Sequence, residues 1–429
     1  MSNIPNRDIL DAAEQTLANA PRLNPFRTLL RFLGPGFLVT VGFIDPGNWA
    51  TNIEGGSRFG YSLLWVITLS TAMLIVIQHM AAKLGIATGK SLAANIREHF
   101  PRPVANFLGV TVVLACMATD VAELLGGAIG FYLLLGMPLW MGALLTVFLE
   151  IFLVVSQRYL RLEAIIMGFL GIISLCYLIE IWLVDPNWAE LLPAVVIPRL
   201  DSESIYVAMA MLGAVVMPHN IFLHSNVIHS RAWGVTPVEK QSLLHFEKLD
   251  TSIAMLLGWV VNSAMIIVAA AVFAGNGVVV SSIEQASETL RPLAGHMAEL
   301  LFAIALVFAG VGSSVTSSLA EANVITGFLG RPEDPRTLLY RVAVFVTAVP
   351  SFLIILMNAD TFKILIFSQV VLSMQLPFTL IPLLLLCRRE GVMGVFRSGT
   401  AEFTAAVVIA GIVIALNLYL LYSTLFGGA

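Results

Sequence analysis

The sequence predicts an all-α membrane protein, and three observations carry that prediction. Of its 429 residues 58% are hydrophobic and 12% charged, about half the charge of an ordinary soluble domain. The mean hydropathy is +0.89, too apolar for a chain with a water-facing surface. The apolar residues gather into eleven runs, each near the roughly 20 residues that a spanning helix needs. Barrel-type alternation is absent, and helices satisfy their own backbone groups in lipid. A soluble enzyme, a nucleic-acid binder and a disordered chain are excluded. The net charge of −4 implies no polyanionic partner. No long soluble extension points to an obligate protein partner; the expected surroundings are the lipid bilayer.

Residues 1–32 are polar, with Asp8, Asp11 and Glu14. They read as a cytoplasmic segment with a short surface helix over 7–20 and no cleaved leader, so the first apolar run is a retained helix. That run, 33–58, is interrupted in its middle. The second, 61–82, carries Gln78, a candidate cavity-lining or interhelical residue, and His79, read as packing. The third, 104–135, contains Asp120 and Glu123. The fourth and fifth cover 138–156 and 164–183, with Glu180 read as lying at a membrane edge. The sixth, 204–230, is again interrupted. The seventh, 252–275, carries Asn262, a second candidate for the cavity wall or an interhelical bond. The remaining runs cover 297–320, 342–359, 364–386 and 403–423. Cys116, Cys176 and Cys387 lie in or beside apolar runs without metal or disulfide spacing and read as core residues.

Basic residues orient the chain. With the N-terminus in the cytoplasm and eleven spans, all but Arg58, Arg199, Arg291 and Lys363 of the 23 Lys and Arg residues face inward, as the positive-inside rule requires. The C-terminus is then outside. Asp185, Glu190, Asp201 and Glu203 fall in an outer, solvated loop.

The two interruptions read Gly42-Phe43-Ile44-Asp45-Pro46-Gly47-Asn48 and Ala214-Val215-Val216-Met217-Pro218-His219-Asn220. Proline removes a backbone donor and clashes with the preceding turn. Each break frees carbonyls near mid-membrane, tolerated only against protein or a watery cavity. The breaks fall in the first and sixth spans. This predicts two inverted five-helix halves, 33–183 and 204–386, plus an extra helix over 403–423 within one transmembrane domain. Paired broken helices mark a transporter's binding site. Asp45 and Asn48 offer oxygen at i and i+3, Met217 offers a thioether, and Gly42 and Ala214 offer carbonyls. An intramembrane carboxylate is costly and functional by default. Oxygen ligands alone suit Mg²⁺ or Ca²⁺, while sulfur shifts the preference toward a softer transition metal.

Asp45-Pro46-Gly47-Asn48 with Met217-Pro218-His219-Asn220 resembles the paired signatures of the Nramp (natural resistance-associated macrophage protein) family, which includes bacterial manganese transporters. Gly34-Pro35-Gly36-Phe37, Ala50-Thr51-Asn52-Ile53, Ile221-Phe222-Leu223-His224-Ser225, Ala118 to Glu123 and Ser368 to Ser373 extend the likeness over the whole chain. The resemblance implies a LeuT-type fold with eleven transmembrane helices, helices 1 and 6 broken, and proton-coupled import of Mn²⁺, Fe²⁺ and similar ions by alternating access. It implies Asp45, Asn48 and Met217 as side-chain ligands, Gly42 and Ala214 as carbonyl ligands, and Gln369 as a ligand in some conformations. It places Gln78 and Asn262 at family positions. No resident cofactor is implied; the metal is the substrate and H⁺ the coupling ion. The implied location is a bacterial inner (plasma) membrane. Gly42 stands where the family commonly has Ala, and Val215 where many members have a hydroxyl. The stretch from Gly312 to Gly327 follows the family's signature only loosely.

A ligand carboxylate must be ionised, so metal binding expels a proton from Asp45. Asp120 and Glu123 share a helix face at i and i+3, and two close carboxylates hold a proton between them more readily than either alone. A structural ion pair with Arg341 is the alternative. The resemblance favours a proton path through Asp120, Glu123 and Arg341, with His219 beside the pocket as a relay.

Three other readings compete. A LeuT-type symporter for another substrate, such as Mg²⁺ or a small organic solute, fits the architecture, although Asp45 would repel a substrate carboxylate. A di-metal membrane enzyme draws on His219, His224 and His229, but steps of five residues turn about 140° past a full turn and leave one helix face. A channel lacks a reason for the paired breaks and the carboxylate pair.

Overall fold

In the computed structural model, residues 32–201, 203–231, 236–357 and 360–426 are described. The surface helix expected over 7–20 lies outside them. The first span is two short helices, α1 (Pro35–Gly42) and α2 (Pro46–Phe59), and a 3₁₀ turn at Gly60–Leu63 leads into α3 (Leu64–Thr88). A short α4 (Leu92–His99) precedes α5 (Arg102–Leu135), α6 (Leu139–Ser156) and α7 (Tyr159–Val184). After the short α8 (Trp188–Ala194), the sixth span is α9 (Ser204–Val215) and α10 (Pro218–Val227). Then come α11 (Pro237–Val272), α12 (Ile283–Ala294), α13 (His296–Leu329), α14 (Leu338–Leu356), α15 (Thr361–Arg388), the single turn α16 (Glu390–Met393) and α17 (Thr400–Phe426).

Among the described residues ten helices are long and apolar enough to cross a membrane, with the second half of the first span counted together with α3. The separate passage through α1 and α2 makes eleven. Both breaks fall where the prolines put them. Pro46 and Pro218 occupy the first turns of α2 and α10, where the missing N–H costs nothing. Asp45 caps α2, accepting from Gly47 N at 2.9 Å and Asn48 N at 3.1 Å.

Counting uncharged runs misplaces helix ends, because a helix continues past the apolar zone into water. Thus α11 starts at Pro237 rather than near 252, and α13 runs to Leu329 rather than 320. The helix α12, between α11 and α13, has an amphipathic rather than apolar sequence and escapes a search for long runs. Glu180 is not at an edge facing water: it is fully buried in α7 with neither carboxylate oxygen hydrogen-bonded.

The tightest layer is α13 against α5. Small residues permit it: a Cβ on Gly310 would stand 2.7 Å from Gly127 Cα, so the two backbones touch, as at small-residue crossings in membranes. On the opposite side α11 packs along α2, α3 and α1. The broken helices are enclosed between these layers, and every residue from Pro218 to Val227 is buried.

Candidate metal site at the two helix breaks

Asp45, Asn48, Met217, His219 and Gln369 are all fully buried. The amide nitrogen of Asn48 sits in a cradle of three oxygens. Its two hydrogens are shared among Asp45 Oδ1 at 2.7 Å, the Ala214 carbonyl at 2.8 Å and the Phe43 carbonyl at 3.0 Å. The Ala214 carbonyl is free because the sixth span breaks directly after it; Val216 and Met217 leave helical dihedrals. Gln369 approaches from α15 and donates from Nε2 to Asp45 Oδ2 at 3.3 Å. That approach requires Gly47, since a Cβ there would collide with the Gln369 amide. Three acceptor oxygens around the pocket remain without a donor: Asn48 Oδ1, Gln369 Oε1 and Asn220 Oδ1.

The sulfur of Met217 accepts from Asn220 Nδ2 at 3.6 Å. Gly42 packs against the same Asn220 amide and has no room for a Cβ. Asn220 is therefore a pocket residue that the sequence reading quoted but did not assign. Asn262 braces the first break, donating to the Phe43 carbonyl at 3.3 Å and accepting from Asn52 at 2.9 Å. Gln78 instead meets His224 Nδ1 at 3.1 Å. His219 is buried with both ring nitrogens unpartnered.

The candidate donors are one carboxylate, two amides, two carbonyls and a thioether. Oxygens converging on an N–H₂ group form a cradle that a cation fits equally well. One carboxylate alone leaves a bound dication incompletely neutralised, which favours release as well as capture. The thioether disfavours hard, strongly hydrated ions.

Asp120 and Glu123 are buried in α5. Arg341 does not join them: it is exposed on α14 and donates from Nε to the Pro335 carbonyl at 3.1 Å. Their neighbours are instead Glu150 of α6 and Glu321 of α13: Ser317 bridges Asp120 and Glu321, Ser318 donates to Glu150 and Thr347 donates to Glu321. Each of these two glutamates is an isolated charge at mid-helix or just past an apolar run, a signal present in the sequence. His79 is not mere packing, since its Nδ1 lies 2.5 Å from Glu247 Oε2.

On the cytoplasmic side of the expected orientation, Asp250 accepts from Gly34 N at 3.0 Å and Gly36 N at 2.7 Å, tying α11 to the start of α1. Arg231 pairs with Glu163 in the same layer. At the opposite end of α2 an open cavity of about 740 Å³ is lined by Phe59, Asp185, Glu190 and Arg199 among others. Asp185 and Glu190, from the loop expected outside, are thus part of its wall.

The family model described as natural resistance-associated macrophage protein-like matches residues 36–423. A divalent metal cation transporter MntH of Caldanaerobacter subterraneus subsp. tengcongensis is 42% identical over 406 residues, covering 94% of this chain and 95% of the relative. A protein of the same name from Deinococcus radiodurans is 40% identical over 430 residues, covering 99% and 97%. The solved structure of an Eremococcus coleocola manganese transporter superposes with a TM-score of 0.83 at 29% identity, covering 93% of this chain and 88% of that one. Mhp1, a nucleobase-cation-symport-1 family transporter, superposes at 0.61 with 14% identity over 92% and 94%, which shows the shared LeuT-type fold and nothing of substrate. With the family model spanning nearly the whole chain, this protein belongs to the Nramp family of membrane transporters.

Proposed function

We propose that the protein imports Mn²⁺, Fe²⁺ and similar divalent metals by alternating access, driven by protons. The observation that carries the reading is the three-oxygen cradle around Asn48 Nδ2, built from both helix breaks. A dication entering the cradle repels the amide N–H₂ and attracts its oxygen. Rotation of the Asn48 amide by half a turn converts a hydrogen-bond donor into a ligand. Asp45, the Ala214 carbonyl and Met217 complete the near shell, with Gly42 and Gln369 supplying oxygens as the helices move. Metal binding requires the ionised carboxylate and so releases the Asp45 proton. Asp120 and Glu123 receive protons away from the metal, and His219 relays beside the pocket. Gln78 and Asn262 hold the walls. The placement of Arg341 gives it no part in this route.

The family names and the excess of basic residues on one side support a bacterial plasma-membrane protein with a cytoplasmic N-terminus and an outside C-terminus. We assign 33–183 and 204–386 as the inverted halves, with 403–423 as the added helix. The metal substrate is supported by the relatives, which are named as divalent metal cation and manganese transporters. An organic carboxylate is disfavoured by Asp45 itself.

The direct test replaces Asp45 with Ala. Ala removes the α2 cap, at about 0.5–2 kcal/mol, and with it the insertion cost of a buried carboxylate, so the variant should still fold and insert while divalent-metal uptake falls at least 100-fold. Uptake at the wild-type rate would refute the assignment.

A further inference from the structure

Four carboxyl groups, Asp120, Glu123, Glu150 and Glu321, lie within the α5, α6 and α13 layer, all 3% exposed or less. Among the described residues no Lys, Arg or His forms an ion pair with any of them. Their charged and titratable neighbours can be named by element. The α5 helix contributes Asp120, Glu123 and the thiol of Cys116, α6 contributes Glu150, the break before α2 contributes Asp45 toward Glu123, and α13 contributes Glu321 itself. The α14 helix offers only hydroxyls, Thr347 and Ser351, since its Arg341 points to the Pro335 carbonyl. Four anions in a buried layer without a cation partner are not sustainable, because an uncompensated buried charge is strongly destabilising.

Hydrogen-bond accounting locates the protons. The Ser317 hydroxyl lies 3.1 Å from Asp120 Oδ1 and 3.2 Å from Glu321 Oε1. It has one hydrogen and can donate to only one of them. The other contact is a bond only if that carboxyl is protonated and donates to Ser317 Oγ. Ser318 and Thr347 spend their single hydrogens on Glu150 and Glu321. Independently, Asp120 Oδ2 and both oxygens of Glu123 are buried with no donor, and the Asp120 and Glu321 carboxyls stand within hydrogen-bonding reach of each other, a contact that only a shared proton can turn into a bond.

We infer that Glu321, with Glu150 beyond it, is a proton-carrying site that continues the route from Asp120 through Ser317 across α13. The inference rests on the proton-coupled reading above. A proton leaving Asp120 passes to Ser317 Oγ as the Ser317 hydrogen passes to Glu321, so the hydroxyl is unchanged and one proton has moved from one carboxyl to the other. Thr347 and Ser318 hold the receiving carboxyls in place. This arrangement answers the departure of the Gly312–Gly327 stretch from its family's signature, because Ser317, Ser318 and Glu321 all fall within it.

The test uses full-length protein in proteoliposomes with the variants Glu321→Gln, Glu321→Asp and Glu150→Gln. Glutamine keeps a donor toward Ser317 but carries no transferable proton. Glu321→Gln should bind Mn²⁺ within 3-fold of wild type, lose at least 5-fold in Mn²⁺-dependent proton flux and flatten the pH profile of uptake. Glu321→Asp should restore part of the flux. The infrared carbonyl band of a protonated carboxylic acid, read without any transport, should weaken in Glu321→Gln. Should that variant not fold, Glu150→Gln carries the same readouts with a smaller loss. Wild-type proton flux together with an unchanged infrared band in the folded variant would overturn the inference. Absence of metal uptake by the wild type would instead overturn the transport reading, and the infrared band would still decide whether Glu321 holds a proton.

Discussion

Met217 is the residue whose chemistry separates one metal from another. Its thioether is a poor ligand for Ca²⁺ and Mg²⁺ and an acceptable one for Mn²⁺, Fe²⁺ and Cd²⁺. Truncation to Ala opens room for a water, an oxygen ligand. Met217→Ala should retain Mn²⁺ transport within several-fold, weaken Cd²⁺ binding by about tenfold, and let Ca²⁺ or Mg²⁺ compete. Competition among the four ions on both proteins checks this, and an unchanged ranking makes Met217 packing alone. At this scale the sequence was most informative where residue type and break coincide. Asp45, Asn48 and Ala214 meet as their spacing suggests. Arg341 did not meet Asp120, because its distance along α14 places it on the exposed surface. Glu150 and Glu321 do not stand out in the sequence, because a single charge barely lowers the hydropathy of a long run. Their meeting depends on how α6 and α13 cross α5, which no local pattern encodes.

At the scale of elements, the crossing of α5 and α13 depends on glycine. Gly310→Ala would put a methyl into the Gly127 backbone, and overpacking of that kind costs roughly 1–3 kcal/mol. Thermal unfolding in detergent should show a clear loss for Gly310→Ala and none for Gly411→Ala, whose added Cβ meets nothing within 4 Å. The connection after α13 carries a titrating latch. Glu333 accepts from Ser91 Oγ at 2.7 Å and from Asn226 Nδ2, joining it to α4 and α10. Burial outweighs these bonds and pushes its carboxyl from 4.5 up to about 7. Between those values the folded protein binds more protons than the unfolded chain, so stability falls as pH rises from about 4.5 to about 7 and is level above. After correction for the intrinsic, roughly tenfold rise in exchange per pH unit, protection of the amides over 330–337 should be lower at pH 8 than at pH 5.5, and Glu333→Gln should remove most of that difference in protection. The helices themselves were legible as apolar runs. Their water-side ends and the amphipathic α12 were not, since apolar length is a property of the bilayer crossing and not of the helix.

For the whole molecule, proline placement in the first and sixth spans pointed to paired broken helices around a protected cavity, and the LeuT-type fold followed from the family resemblance. The carboxylate layer behind the site was legible only in its α5 members. The central claim is that a dication is drawn inward by protons through the site at the two breaks. The most direct measurement is Mn²⁺ uptake into proteoliposomes holding a pH-sensitive dye, with and without an imposed gradient acidic outside. The account predicts that the gradient accelerates uptake, that Mn²⁺ addition acidifies the lumen, and that Asp45→Ala abolishes both. Uptake indifferent to the gradient, with no Mn²⁺-dependent proton entry, would contradict it.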